Sequence, residues 1–138
     1  MRELPDLFKQ WIEGSIEPPP VTKLLDITLL ECGDGTAKVK MKVDKRHHNP
    51  MGSVHGGIFC DLADVAMGVA VASTLKANET FSTVELHVNY IRPIVETVLI
   101  ADARVVHRGR KITLVTCEMF DDQDRLVTRS SSTCLIQR

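Results

Sequence analysis

The chain has 138 residues, of which 43% are hydrophobic and 25% charged, which suits one globular domain with a single core and excludes a disordered chain. Lys and Arg number 17 against 18 Asp and Glu, a formal net charge of -1, so there is no electrostatic case for nucleic acid or an anionic membrane as partner. With one Trp, one Tyr and four Phe, stacking on nucleobases is also poorly supported.

Leu4, Leu7, Phe8, Trp11 and Ile12 recur at helical spacing, which predicts a short amphipathic helix over 3–13 ended by Gly14. This opening is charged, not a basic stub followed by an apolar run, so no secretory leader is expected. No apolar stretch reaches the length of a membrane span. Pro18, Pro19 and Pro20 form a stiff extended connector, so residues 1–20 are expected to stand before a domain covering 21–138. Residues 24–31 have the apolar, β-branched content of a strand, and "CGDG" at 32–35 that of a hairpin turn. In 37–43, Ala37, Val39, Met41 and Val43 alternate with lysines 38, 40 and 42, a strand with one solvated face.

Residues 44–54 are expected to be loop. Residues 56–75 are the long helical candidate, with Ile58, Leu62, Val65, Val69 and Ala72 as one stripe and Ala63, Ala66 and Ala70 on the other face. A helix apolar nearly all round belongs in the interior. Strands follow at 81–91, 98–109, 112–121 and 126–137. In the first of them Val84, Leu86, Val88 and Tyr90 alternate with Thr83, Glu85, His87 and Asn89, and Pro93 ends the run. One long helix among six strands predicts an α+β fold, an antiparallel sheet wrapped around the helix, with an open face or edge that a partner would cover. Cys32, Cys60, Cys117 and Cys134 lie far apart without a CxxC pair, so reduced thiols in the cytoplasm are expected, not zinc or a redox dithiol.

The stretch "NPMGSVHGGIFCDLADVAMG" at 49–68 carries the chemistry. Gly56 and Gly57 open the helix, where backbone N–H groups lack intrahelical partners and glycine permits close approach, which suits a developing oxyanion. A tight turn or close packing is the alternative. Asp64, an acid inside an apolar helix, is a candidate general base or nucleophile, or else a carboxylate on the helix's polar edge. Asp61, three residues earlier, shares its face and both readings. His55 offers a hydrogen bond or proton, or a helix cap. Asn49 offers a side-chain amide, or turn chemistry as part of Asn-Pro. His47 and His48 lack a third ligand at a convincing spacing, so no metal site is expected. Gly56 and Asp64 are eight residues apart, about 12 Å along a helix. One small carbonyl cannot touch both, so a shared site requires two copies of the helix in a dimer.

Asn49, His55, Gly56, Gly57 and Asp64, together with "STVELHVNYIRP" at 82–93 and "VVHRGRKITLVTCEMFD" at 105–121, resemble the hotdog-fold acyl-CoA thioesterases. The resemblance is to the phenylacetate-pathway and human-type "thioesterase superfamily member" groups of the 4-hydroxybenzoyl-CoA thioesterase superfamily, and it spans about 24–136. It implies a hotdog fold and hydrolysis of an acyl-CoA to a free acid and CoA. It gives Asp64 the role of base or nucleophile and the Gly56 N–H that of polarising the thioester carbonyl. Asn49 and His55 support the pocket, and Thr83 orients the attacking water. Gly57 and Asp61 border the substrate, Asp61 without a catalytic role. Arg92, Arg108, Arg110 and Lys111 are candidates for the CoA phosphates, or ordinary solvated charge. The resemblance further implies a homodimer joined edge to edge, often paired as a tetramer, no metal, and no cofactor beyond the CoA of the substrate. Similar proteins often place a short N-terminal helix over the acyl pocket. Two other readings stay open: an enoyl-CoA hydratase or dehydratase on the same fold, and a non-catalytic acyl-CoA-binding sensor. Sensors of this fold carry a DNA-binding module, and the roughly 20 residues before the domain are too few and too acidic for one. The acyl group itself is not legible.

Overall fold

Six strands form one antiparallel sheet in the computed structural model, which describes residues 4–138, with side chains from Asp6 onward. Two short helices, α1 (Leu4–Glu13) and α2 (Pro20–Leu25), precede strands β1 (Thr28–Gly33) and β2 (Thr36–Val43). The long helix α3 (Gly56–Ala72) follows, then β3 (Thr80–Tyr90), β4 (Thr97–Arg108), β5 (Ile112–Phe120) and β6 (Leu126–Gln137). The spatial order is β1-β2-β4-β5-β6-β3, so the strand after α3 crosses to the far edge and pairs with β6 alone.

Burial explains the register. Ala37, Val39, Met41 and Val43 of β2 are at most 2% exposed, while Lys40 and Lys42 face solvent. Leu99, Ala101, Ala103, Val115 and Met119 continue the same apolar face across β4 and β5. Helix α3 lies on that face with Leu62, Ala63, Ala66, Met67, Ala70 and Val71 almost wholly buried. The predicted stripe is shifted: Ile58 and Val65 are half-buried, and Phe59, Met67 and Val71 join the core instead. The helix ends at Ala72, three residues earlier than expected, where the Ser73 and Thr74 hydroxyls bond the Ala70 and Val71 carbonyls. The hairpin turn is as expected: Asp34 and Gly35 both have positive φ, the geometry of a tight two-residue connection.

The strand predicted over 24–31 is corrected at its start. Pro20 occupies the first helical position, where its missing N–H costs nothing, and the Thr22 hydroxyl bonds the Pro19 carbonyl. Asp26 adopts φ 56°, and Ile27 N–H reaches the Thr22 carbonyl at 2.8 Å, closing the helix C-terminus. These local bonds outweigh the strand propensity of Leu24-Leu25. Helix α1 packs on β1 and α3, and its Trp11, 9% exposed, joins the main core. Glu3 of the predicted first helix lies outside the described residues. Among those residues no helix is long and apolar enough to cross a membrane.

The end of α3 opposite Gly56 is closed by Glu79, whose side chain is 1% exposed. It accepts the Lys76 N–H at 3.0 Å, the Arg138 guanidinium at 2.7 Å, and a hydrogen bond from Arg108. Lys76 N–H, then the two guanidiniums, hold this carboxyl below the usual range against the cost of burial.

Candidate active site

The segment between β2 and α3 is a wound turn. Asp44 caps a single 3-10 turn at Lys45–His47, accepting the Arg46 N–H, and His47 Nδ1 accepts the Asp44 N–H. His48 bonds the Val95 carbonyl through Nε2 at 2.7 Å, and Val54 N–H bonds the Ile94 carbonyl at 2.8 Å. The expected loop histidines are thus turn fasteners. Asn49 spends its amide on the same turn: Oδ1 accepts the Met51 and Ser53 N–H groups, and Nδ2 donates to Ser53 Oγ at 3.1 Å. Of its two readings from sequence, the turn chemistry is the one formed within this chain.

This turn delivers the start of α3. His55 N–H bonds the His47 carbonyl at 2.8 Å, and its Nδ1 accepts the Gly57 N–H at 3.0 Å as the helix cap. Capping through Nδ1 leaves the proton of a neutral ring on Nε2. The Gly57 N–H is therefore taken, whereas the Gly56 N–H has no partner among the described residues. Beside Gly56 lies an open hollow of about 360 Å³, lined by Val54, Phe59, Tyr90, Ile91, Arg92 and Pro93. A larger hollow of about 700 Å³ between α1, α2 and β1 contains none of these groups.

Asp64 sits two turns further along α3, on its solvent-open side. Its carboxyl is lifted above the usual range by desolvation and by the charge of Asp61, while a hydrogen bond from Thr83 opposes the shift. Thr83 reaches Asp64 because β3 carries a bulge. Thr83 pairs with Cys134 and Glu85 with Thr133, so Val84 is an extra residue on β3. The strict alternation predicted for this strand, with Thr83 on the face of Glu85 and Asn89, is corrected accordingly. The bulge reverses the phase, so that Thr83 and Phe81 share the face of Leu86, Val88 and Tyr90 toward α3, and Val84 is left 61% exposed.

The fold therefore brings Asn49, His55, Gly56, Gly57 and Arg92 to one end of α3 and Asp61, Asp64 and Thr83 to its middle. It does not bring Arg108, Arg110 or Lys111 there. These cluster around the other end of α3, roughly 25 Å away by helix rise. Arg108, expected among phosphate contacts, spends its guanidinium on Glu79, Thr74 Oγ1 and the Gly109 carbonyl. Arg110 and Lys111 are exposed, and their backbone carbonyls hold Arg138 and the Ile136 N–H.

Tyr90 is a residue to which the sequence pattern assigns no role in the site. Its hydroxyl donates to the Gly56 carbonyl at 2.8 Å and lies 3.4 Å from Cys60 Sγ, and its ring meets Phe59 edge-on with centroids 5.9 Å apart. The available signal was a tyrosine closing a strand just ahead of Ile91-Arg92-Pro93, in a chain with no other tyrosine. The site thus offers an unpaired N–H donor beside a hollow and, about 12 Å along the same helix, a carboxyl lifted above the usual range.

Comparison with known proteins bears on this geometry. The family model described as the thioesterase superfamily matches residues 51–128. The 1,4-dihydroxy-2-naphthoyl-CoA hydrolase of Escherichia coli is 30% identical over 112 residues, covering 81% of this chain and 82% of the relative. A conserved protein of Pseudomonas aeruginosa superposes with TM-score 0.81 at 30% identity, over 87% of this chain and 95% of that one. The PaaI protein from the phenylacetic acid degradation operon of E. coli superposes with TM-score 0.83 at 24% identity, over 95% and 94%, which supports the hotdog fold.

Proposed function

Since the chain belongs to the thioesterase superfamily, a family of thioester hydrolases, we propose that it hydrolyses an acyl-CoA thioester to a free carboxylic acid and CoA. The observation that carries this reading is the placement on one helix of a free Gly56 N–H and, two turns on, the Asp64 carboxyl on the side that Thr83 of β3 faces. In the proposed reaction the thioester carbonyl accepts the Gly56 N–H at the mouth of the hollow. Asp64 takes a proton from water as the water oxygen attacks the carbonyl carbon. The oxyanion collapses, the carbon–sulfur bond breaks, and CoA leaves as a thiolate that recovers a proton. If Asp64 attacks directly, an acyl-Asp64 anhydride forms and water then cleaves it. After a single turnover in ¹⁸O-water, label in Asp64 identifies direct attack with water cleaving the anhydride at the Asp64 carbon, and hydroxylamine trapping of the anhydride detects the case in which water cleaves at the acyl carbon.

Two copies of α3 are needed to span one carbonyl, and the strand at the sheet edge supports a second copy. β3 has eleven residues, hydrogen-bonds on one side only among the described residues, and carries Val84 and Tyr90 at 61% and 55% exposure. An exposed apolar edge of this length favours pairing with another edge. We place the homodimer there and leave its further pairing into a tetramer to mass measurement. Arg92, beside the hollow, with Arg110 and Lys111 from the partner copy, are the cations proposed for the CoA phosphates. Gly57 and Asp61 border the bound thioester, and no cofactor is required. The four free cysteines fit a reducing cytoplasmic setting.

The test is thiol release from aromatic, short, medium and long acyl-CoAs by the wild type and by Asp64→Asn. Loss of turnover in the variant is expected, by a factor of about 100 or more. Undiminished turnover sinks the role of Asp64. Hydration of an enoyl-CoA, or tight acyl-CoA binding without thiol release, would point to the hydratase or sensor readings instead.

A further inference from the structure

Tyr90 is held to the first turn of α3 by contacts that the hydrolytic scheme does not use. Its hydroxyl donates to the Gly56 carbonyl at 2.8 Å, although the residue is 55% exposed and could have turned to water. Its ring is anchored edge-on against Phe59, which is 3% exposed. A side chain at Gly56 would meet this tyrosine directly: an added Cβ lies 3.0 Å from the hydroxyl oxygen and 3.3 Å from Cζ. The absence of a side chain at Gly56 is thus matched to Tyr90, while that at Gly57 is matched to His55 Nδ1, 3.1 Å from its own added Cβ.

The turn is pinned on two sides. His55 holds the Gly57 N–H and Tyr90 holds the Gly56 carbonyl, which leaves the Gly56 N–H as the free donor of the pair of glycines. The same tyrosine ring lines the hollow into which that donor opens, with Val54, Phe59, Ile91 and Pro93 as the other apolar walls. We propose that Tyr90 is a positioning and specificity residue, its hydroxyl fixing the peptide that presents the Gly56 N–H and its ring forming the wall on which an apolar acyl group packs. This rests on the role given above to Gly56 and deepens it.

The two functions of the side chain are separable. Tyr90→Phe keeps the wall and removes the tether, so kcat falls about 10-fold to 100-fold with KM little changed, as for a slightly misplaced donor. Tyr90→Leu removes both, so KM also rises and the order of preference across aromatic and aliphatic acyl-CoAs changes. Gly56→Ala supplies a second measurement. Its cost in kcat should be smaller in the Tyr90→Phe background than in the wild type, because the hydroxyl it would press against is gone. Unchanged kcat in Tyr90→Phe, with Asp64→Asn inactive, overturns the proposal and leaves the hydrolytic reading standing. An equal cost of Gly56→Ala in both backgrounds overturns it too, as would a Tyr90→Phe chain that does not fold, since the hydroxyl would then be holding the fold and not the site. Full activity in Asp64→Asn is a separate result that removes Asp64 from the scheme without touching the tyrosine comparison.

Discussion

Asp64 shows how one position answers to several neighbours. Desolvation raises its pKa, the Thr83 hydroxyl lowers it, and Asp61 raises it again. A base must be deprotonated, so the acidic limb of kcat/KM is expected above the ordinary carboxylate range, and Asp61→Asn should move that limb to lower pH. A pH profile of the two proteins checks both statements. The linkage has the matching sign. A carboxyl whose pKa is higher in the folded state binds more protons there, so stability falls as pH rises through the folded pKa. Asp64→Asn is therefore expected to raise the thermal midpoint at neutral pH, with the advantage fading below the usual carboxylate pKa. The same substitution that removes activity should stabilise the fold. His55→Ala, by contrast, removes the helix cap and should cost about 1 kcal/mol in a denaturant titration.

Strand β3 is where an element decides what its residues can do. Its letters alternate from Val84 to Tyr90 with Phe81 out of phase, a break that does not say which residue between them is the extra one. The bulge arises from pairing with β6, which no local pattern encodes. Deleting Val84 should remove the bulge but keep Thr83 two positions from Leu86 on the face toward α3, so an activity assay should find turnover largely kept; Thr83→Ser should also stay close to wild type. The same argument explains α2. Leu24-Leu25-Asp26-Ile27 has strand-like content, yet Pro20 at its start and the left-handed Asp26 at its end make a helical turn. Burial also leaves a mark on β5, where Thr113 is wholly buried and its hydroxyl has no partner among the described residues. Thr113→Val preserves the shape and removes an unpaired polar group, and should stabilise the protein by roughly 1 kcal/mol in the same titration.

At the scale of the whole molecule, the proposal of two half-sites from two chains makes a quantitative prediction. An Asp64→Asn homodimer and a homodimer disabled at Gly56 should each be inactive. Unfolded and refolded together at equal concentration, half of the dimers are mixed, and each mixed dimer has one site with both groups intact. Activity should return to about a quarter of the wild-type level by this symmetry. No recovery on mixing would mean that both groups serve one site within one chain. Sedimentation of the Val84→Lys variant gives a second check, because a charge on the open edge should weaken self-pairing and leave the monomer fold intact.

By themselves the residues of this chain determined the six strands and one buried helix, because apolar periodicity is a local property that survives any arrangement of the elements. They also determined that Gly56 and Asp64, eight positions apart, cannot meet on one carbonyl, because helix rise is constant. Tertiary structure alone decided the rest. It placed Thr83 against Asp64 through a bulge set by a neighbouring strand, and it gave Arg108 to Glu79 at the far end of α3. It also laid Tyr90 across Gly56, 34 positions apart in the chain. Each of those outcomes depends on which strand lies beside which, and that is a property of the packed sheet that no stretch of the chain carries alone.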